Sequence, residues 1–397
     1  MSVPKLRFRD DDGKELPCWK KITIEDLEVK VIDGDRGTNY PNGNDFSNDG
    51  YCLFLNAKNV TKSGFSFDEL SFISKEKDEQ LRKGKLVRND LVITTRGTVG
   101  NIAYFNEGVP YENMRINSGM IIIRSESDDI SSNYFYQYFY SPILIKIIGN
   151  IAFGSAQPQL TVKEINKIKV GVPSLSEQTK IANFLTAVDE KITLLTQKAD
   201  LLSQYKKGVM QQIFSQELRF KDDDGQEFPE WEEKKLGDIA DITTGNSNRI
   251  DSTIGDGAYT FFDRSQDIRT SDIYLFDCEA VIVAGEGQEF IPKHFIGKFD
   301  LHQRTYAIIK FKSASGKYLF YYIHNFRYYF LSQAVGSTVK SLRLPMFQQM
   351  PIQLPSLPEQ TKIANFLTAI DEKITINETQ LNTVKQYKQG LLQQMFV

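Results

Sequence analysis

Hydrophobic positions recur along this chain with two different periods. From Ile181 the apolar residues fall at alternating spacings of four and three: Ile181, Leu185, Val188, Ile192, Leu195, Ala199 and Leu202, then Lys206, Val209 and Ile213. A second run repeats the spacing: Ile363, Leu367, Ile370, Ile374, Asn377, Leu381, Val384, Lys388, Leu391 and Met395. Sustained 4-3 spacing is the seam of a coiled coil, where a slightly under-wound helix keeps one stripe against its partner. Neither run contains a proline; Pro173 and Pro355 lie just upstream, and Ser176 and Pro358 stand where each helix begins. Each predicted helix of roughly 40 residues is about 55–60 Å long at about 1.5 Å per residue. Lys206, Asn377 and Lys388 interrupt the apolar stripe. These polar residues suit a register-fixing role; alternatively Lys206 and Lys388 extend their heads into water from fraying ends.

Elsewhere the pattern is short and mixed. Apolar runs at Tyr51–Leu55, Leu91–Thr95, Gly119–Ile123, Tyr259–Phe262, Ala280–Val283 and Tyr306–Phe311 predict strands bounded by polar or glycine-rich loops. Two aromatic-rich stretches, 131–148 and 317–333, predict helices whose rings form core.

The chain also repeats itself. LRFRDDDGKELPCW at 6–19 returns as LRFKDDDGQEFPEW at 218–231. The segment 172–214 returns at 354–396, with EQTKIANFLTA identical in both copies. The intervening bodies, 20–171 and 232–353, differ. Drift would blur frame and body together, so a shared scaffold presenting two different surfaces is expected. Antiparallel pairing of the long helices requires only that the two ends of the second body lie together, which is usual for domains. Joining Val397 to Met1 would recreate the internal junction, so the N-terminal lead should sit beside the C-terminal helix end.

Composition adds limits. The chain has 397 residues, 41% hydrophobic and 25% charged, typical of globular proteins with two or three domains. No run approaches the roughly 18 apolar residues of a membrane span, and the first residues lack the apolar core of a signal peptide. Three scattered cysteines argue against a disulfide framework. A cytoplasmic location is expected. There is no Walker loop, no HExxH, no zinc spacing and no methyltransferase Asn/Asp-Pro-Pro-aromatic motif. The three histidines are not spaced for one metal, and Asp10–Gly13 and its copy at 222–225 read as solvated turns rather than calcium loops. A catalytic centre in this chain is not expected.

The net charge of −3 argues against nucleic acid until it is divided by region. Residues 293–343 hold nine basic residues against Asp300 alone, a net +8; residues 82–124 carry +4. The lead 217–233 holds eight acids and two bases. Basic segments beside loops rich in Arg, Asn, Gln, Ser and Thr suit phosphate and base-edge contacts.

The doubled PSLxEQxKIAxFL frame, with GSAQPQLTVKEINKIKVGVPSL at 154–175 and GSTVKSLRLPMFQQMPIQLPSL at 336–357, closely resembles the specificity subunit of type I restriction-modification systems across essentially the whole chain. The resemblance implies an α+β fold. Two mixed target-recognition domains, 1–175 and 216–357, are joined by two antiparallel coiled-coil helices, 176–215 and 358–397, with circular pseudo-two-fold symmetry. Each domain would read one half of an asymmetric bipartite DNA target. The helices would bind modification subunits, expected to number two, which methylate adenine with S-adenosylmethionine. Restriction subunits would supply ATP- and magnesium-dependent translocation and cleavage; no cofactor is expected in this chain. The helix pair would act as a ruler, about 50 Å corresponding to about 15 base pairs at about 3.4 Å per step.

Guided by the family, the DNA-contact candidates in the first domain are Arg36, Asn39, Tyr40, Asn56, Lys58, Arg96, Thr98, Arg115, Asn117, Gln157 and Gln159. In the second they are Asn246, Asn248, Arg249, Arg264, Gln266, Lys293, His294, Gln303, Arg304, Lys340 and Arg343. Arginine suits guanine and Asn/Gln suit adenine; Lys340 suits phosphate. A stand-alone DNA-binding regulator and a protein-binding coiled-coil adaptor are the alternatives, and the regional charge disfavours the adaptor.

Overall fold

The computed structural model describes residues 4–153, 159–249, 252–253, 255–265 and 269–397. The chain divides into two compact units, Met1–Leu195 with Gln380–Val397, and Thr196–Thr379. Both are built on one frame around different interiors.

In the first unit, the strand Lys20–Thr23 that enters the body pairs antiparallel with Lys169–Val172 that leaves it. Between them lies a four-stranded antiparallel sheet in the order Val29–Asp33, Met120–Ser125, Leu91–Thr94, Ile102–Tyr104. A three-stranded sheet, Phe72–Ile73, Cys52–Leu55, Met114–Ile116, has its last pair parallel. The strands Cys52–Leu55 and Leu91–Thr94 are buried on both faces, which explains their unbroken apolar runs. The aromatic helix Ser132–Phe139 buries Tyr134, Phe135, Tyr138 and Phe139 in the core, as its spacing predicts.

In the second unit the frame recurs with Glu232–Lys235 against Pro351–Leu354, in the equivalent register. Its body is one six-stranded sheet, Asp241–Thr244, Thr305–Ile309, Phe276–Ala284, Lys293–Leu301, Tyr259–Phe262, Arg269–Ser271. It curls so far that Ser247, just past the first strand, bridges to His302, just past the fourth. Gly245 permits this closure: a Cβ there would fall 1.7 Å from the Leu301 carbonyl oxygen. The helix Gly316–Asn325 covers one face with Tyr318, Leu319, Tyr321, Tyr322 and Ile323.

The long helices are Leu175–Phe214 and Leu357–Met395. In the first unit, Ile181 and Leu185 share a core with Leu391, Leu392 and Met395. In the second, Val209 and Ile213 share one with Ile363, Leu367 and Ile370. Rising numbers on one helix meet falling numbers on the other, so each unit contains an antiparallel pair. All the heptad positions named from sequence are buried or half-buried, including Val188, Ile192, Leu195, Leu202, Ile374, Leu381 and Val384. The two lysines of the seam are paired: Lys388 Nζ lies 2.5 Å from Asp189 and Lys206 Nζ 2.5 Å from Asp371. Asp189 also accepts from Gln137, and Asp371 from the Tyr321 hydroxyl, so each ion pair ties both helices to the adjoining body.

The repeated motif is a repeated lock. Glu177 is fully buried and accepts from Arg7 Nε at 2.9 Å, Arg7 Nη2 at 2.6 Å and Trp19 Nε1 at 3.1 Å. Glu359 accepts from Arg219 and Trp231 in the same way. Gln178 caps the body by accepting from the Ser131 amide, and Gln360 does so with Ser315. Lys180 donates to the Arg9 carbonyl and Lys362 to the Lys221 carbonyl. The Asp10–Gly13 turn closes on itself through Asp10 Oδ1, which accepts from the Asp12 and Lys14 amides. In the first unit the Leu6 amide donates to the Gln394 carbonyl at 3.0 Å; in the second Leu218 donates to Gln212 at the same distance. From Leu6 onward, therefore, the lead lies beside the C-terminal helix end, and its counterpart lies beside the internal one. Met1 lies outside the described residues.

Candidate nucleic-acid interface

In the second unit, curling of the sheet gathers four loops that are far apart in sequence. Residues 246–249 follow the first strand, 263–265 follow Tyr259–Phe262, Glu286–Gly287 follows the long strand ending at Ala284, and 302–304 form the turn into Thr305–Ile309. Cross-links hold them together. The Gln303 amide donates to the Ser247 carbonyl at 3.0 Å, and its side-chain amide donates to Asn248 Oδ1 at 2.7 Å. Arg304 Nη1 lies 2.6 Å and Arg264 Nη1 4.0 Å from Glu286. Arg249 reaches the buried Asp263 at 3.4 Å, and Lys293 Nζ donates to the Ser265 carbonyl at 2.8 Å. The pair Glu286–Gly287 and Lys340–Ser341 brings the Lys340–Arg343 segment alongside. Burial is the main cause that lowers the His302 pKa, with Arg304 and Arg264 adding to it and Asp263 and Glu286 opposing. The neutral ring suits His302 Nδ1 as acceptor for the Arg304 amide at 3.1 Å.

Nine candidates thus share one rim: Asn246, Asn248, Arg249, Arg264, Lys293, Gln303, Arg304, Lys340 and Arg343. Lys340 contributes mainly backbone, its ammonium donating to the Leu331 carbonyl at 3.4 Å. His294 does not join them. It stands on the opposite face of its strand from Lys293, 2.8 Å from Glu279 and against Phe320. Gln266 lies outside the described residues. Glu286, Asp263 and His302 are not among the sequence candidates; Glu286 and Asp263 lie outside the basic stretch 293–343, and only the sheet's closure sets them beside the arginines.

In the first unit, register alignment puts the corresponding strand ends at one edge. Asp33 stands beside Ile121, Thr94 beside Met120, and Leu55 beside Ile116, so Asn56 and Asn117 end neighbouring strands. Arg36 pairs with Asp33 at 3.0 Å and donates to the Ser118 carbonyl at 3.3 Å, while the Tyr40 hydroxyl accepts from the Ser118 amide at 3.4 Å. Beneath Arg36, burial alone would raise the Asp35 pKa, but the Gly37, Arg82 and Lys83 amides donate to it and hold it low. Arg96 and Thr98 are exposed at the same edge, and Gln159 is half-buried next to Leu160, whose amide donates to the Thr95 carbonyl. Arg96 has no hydrogen bond or ion pair to any other described residue. Asn39 donates to the Gln80 carbonyl, and Lys58 is paired with Glu69 at 2.7 Å. Gln157 lies outside the described residues.

Arg115 departs from the expectation. Its side chain is 6% exposed, its Nε is bonded to the Asp78 carboxylate, and its other nitrogens donate to the carbonyls of Asp78, Leu81 and Lys83. It holds the interior together and presents nothing at the edge. Regional charge sums proved a coarse guide for the same reason. Arg124 is bound to Asp90 and Arg88 to Glu112, while Lys310 and Lys312 flank Asp241.

The two bodies thus carry dissimilar, arginine-bearing rims on duplicated frames. Residues 18–204 and 229–386 match the family model for the type I restriction modification DNA specificity domain. The chain belongs to that family. It is a specificity subunit of a type I restriction-modification system, from a family that is not itself catalytic. The MjaVIII specificity subunit of Methanocaldococcus jannaschii is 24% identical over 420 residues, covering 97% of this chain and 94% of that protein. The EcoDI specificity subunit of Escherichia coli is 29% identical over 171 residues, covering 41% of this chain and 37% of that protein. The S subunit of M. genitalium superposes with a TM-score of 0.67 at 14% identity, covering 100% of this chain and 99% of that one. A chain from a study of complex assembly and conformational transition in the type I system gives a TM-score of 0.55 at 16% identity, covering 95% of this chain and 97% of that one. No helix among the described residues of this specificity subunit is long and apolar enough to cross a membrane.

Proposed function

We propose that the two rims each read one half of an asymmetric bipartite DNA target, the first unit through Arg36, Asn56, Arg96 and Asn117, the second through Asn246, Asn248, Arg264, Gln303 and Arg304. The observation that carries this reading is the contrast between frame and rim. The frames match bond for bond, as in the Glu177 and Glu359 locks, whereas the rims share no residue pattern. A duplicated module with different reading edges recognises two different half-sites. Arginine forks suit guanine, and the Asn and Gln amides suit adenine. Lys293 and Arg343 border the second rim and favour phosphate, whereas Lys340 supports it through its backbone.

The helices space the half-sites and provide the docking surface for modification subunits, two per chain on the symmetry of the frame. Those subunits supply S-adenosylmethionine and methylate adenine, and restriction subunits supply the ATP- and magnesium-dependent steps. Neither a stand-alone regulator nor an adaptor accounts for family membership. The test is sequencing-based mapping of methylated adenines in cells expressing the modification partner with and without this chain. A gapped, asymmetric motif that requires the chain is expected. A motif that persists without it, or that is symmetric, would refute the reading.

A further inference from the structure

Two acids lie among the arginines of the second rim: Asp263 is buried beneath Arg249, whereas Glu286 lies between Arg304 and Arg264, and the placement of Glu286 is not that of a stabilising surface pair. Glu286 stands on a strand of two residues fixed by pairing with Lys340–Ser341. Its side chain is 19% exposed, whereas those of Arg304 and Arg264 are 63% and 58% exposed. The Arg304 backbone is pinned on both sides: its carbonyl accepts from the Gly285 amide at 2.8 Å and its amide donates to His302. Gly285 allows this approach, since a Cβ there would lie 2.6 Å from the Arg304 carbonyl oxygen. Backbone and one guanidinium nitrogen of Arg304 are therefore both held, while the side chain stays open to solvent. Exposed ion pairs of this kind add little stability, and a carboxylate on a surface that meets phosphates is unfavourable unless cations neutralise it.

We propose that Glu286 is a positioning residue for base readout: it holds Arg304 through Nη1 so that the Nε–Nη2 edge faces one base pair, and that base pair carries guanine. The inference rests on the reading that this rim meets DNA. A guanidinium has five N–H donors in a rigid fork. Glu286 Oε1 engages Nη1 at 2.6 Å, which leaves the Nε–Nη2 edge for two parallel bonds, the pattern presented by guanine O6 and N7 in the major groove. A long flexible side chain loses rotamer freedom when it binds; a carboxylate that orders it beforehand reduces that loss and narrows the bases it can reach. Arg264, at 4.0 Å from the same carboxylate, balances its charge and keeps the rim cationic.

The experiment expresses the chain with its modification partner in cells lacking other adenine methylation and maps methylated sites for the wild type, Glu286→Ala, Glu286→Gln and Arg304→Ala. The wild-type motif is expected to hold guanine at one position of the second unit's half-site. Glu286→Ala should lower discrimination at that position by about tenfold or more, the scale of one lost base preference, and leave the other half-site intact. Glu286→Gln keeps an acceptor oxygen and should restore most of the preference. A uniform fall in methylation with unchanged base preference in Glu286→Ala would assign Glu286 a merely structural role and overturn the proposal. Unchanged base preference in Arg304→Ala would instead overturn the DNA-contact reading of the rim on which it rests.

Discussion

Arg7→Ala removes the counter-ion of a carboxylate from which water is excluded. Glu177 is 0% exposed and receives two bonds from Arg7, whose own side chain is 16% exposed. Arg7 Nη2 also donates to the Pro17 carbonyl at 2.7 Å, so the same residue fastens the lead to the helix start. Without Arg7 the carboxylate keeps only the Trp19 indole N–H. Breaking one side of a buried pair costs about 3–5 kcal/mol, and the partial exposure of Arg7 favours the lower end, about 3 kcal/mol. With a urea dependence of about 2 kcal/mol per molar, the unfolding midpoint of the first unit should fall by about 1.5 M. The chain supplies its own reporters: its two tryptophans, Trp19 and Trp231, lie one in each unit, each bonded to the lock carboxylate. In a Trp231→Phe background, Trp19 fluorescence follows the first unit; in Trp19→Phe, Trp231 follows the second. Arg7→Lys should fall between wild type and Arg7→Ala, because a point charge cannot reproduce the fork. A midpoint change below about 0.3 M, or an equal change reported by Trp231, would refute the lock.

Four further outcomes are expected. A double-mutant cycle on Lys388→Ala and Asp189→Ala should give a coupling of about 1 kcal/mol in urea unfolding; zero coupling would make Lys388 a solvent-seeking side chain rather than a register pin. All three histidines lie in the second unit, and burial depresses the pKa of His324 and His302, with Lys206 and Arg327 adding to the effect at His324. Well above pH 6.5 both are neutral, folded or unfolded. As pH falls below that value the unfolded chain takes up protons first, so stability read by Trp231 should decline as the pH drops below about 6.5, and His324→Phe should flatten that decline. Arg115→Ala should lower the first unit's stability by about 3 kcal/mol. Arg96→Ala should leave stability within about 0.5 kcal/mol yet reduce the salt slope of DNA binding by the modification complex, by about one if Arg96 neutralises a phosphate; an unchanged slope with unchanged base preference would remove Arg96 from the rim.

Periodic features were legible in the chain. The heptad stripe marked both long helices, because an apolar stripe repeating every three or four residues can bury itself only as a helix against a partner, and the start signals at Ser176 and Pro358 fall within a residue of the observed helix starts. Strands buried on both faces, such as Cys52–Leu55, and the aromatic helix Ser132–Phe139 were legible for the same reason. The repeats revealed a duplicated frame, and the chemistry of Glu177 and Gln178 explains why EQ recurs: both are buried polar groups that require the same partners in each copy.

Long-range pairing decided the rest. Glu232–Lys235 reads EEKK and all four residues are exposed, with no strand pattern of their own; the segment is a strand because Pro351–Leu354, more than a hundred residues away in sequence, lies beside it. Arg115 looked like a loop arginine, but the parallel pairing of Met114–Ile116 with Cys52–Leu55 places it within the interior, where Asp78 receives it. The second rim arises from closure of a curled sheet at Gly245, which brings residues 246–249 to 302–304 and sets Glu286 between two arginines. Local periodicity encodes which face of an element is buried. Which distant residues share an edge depends on strand register and on where backbones can approach, and those are settled when the sheets close.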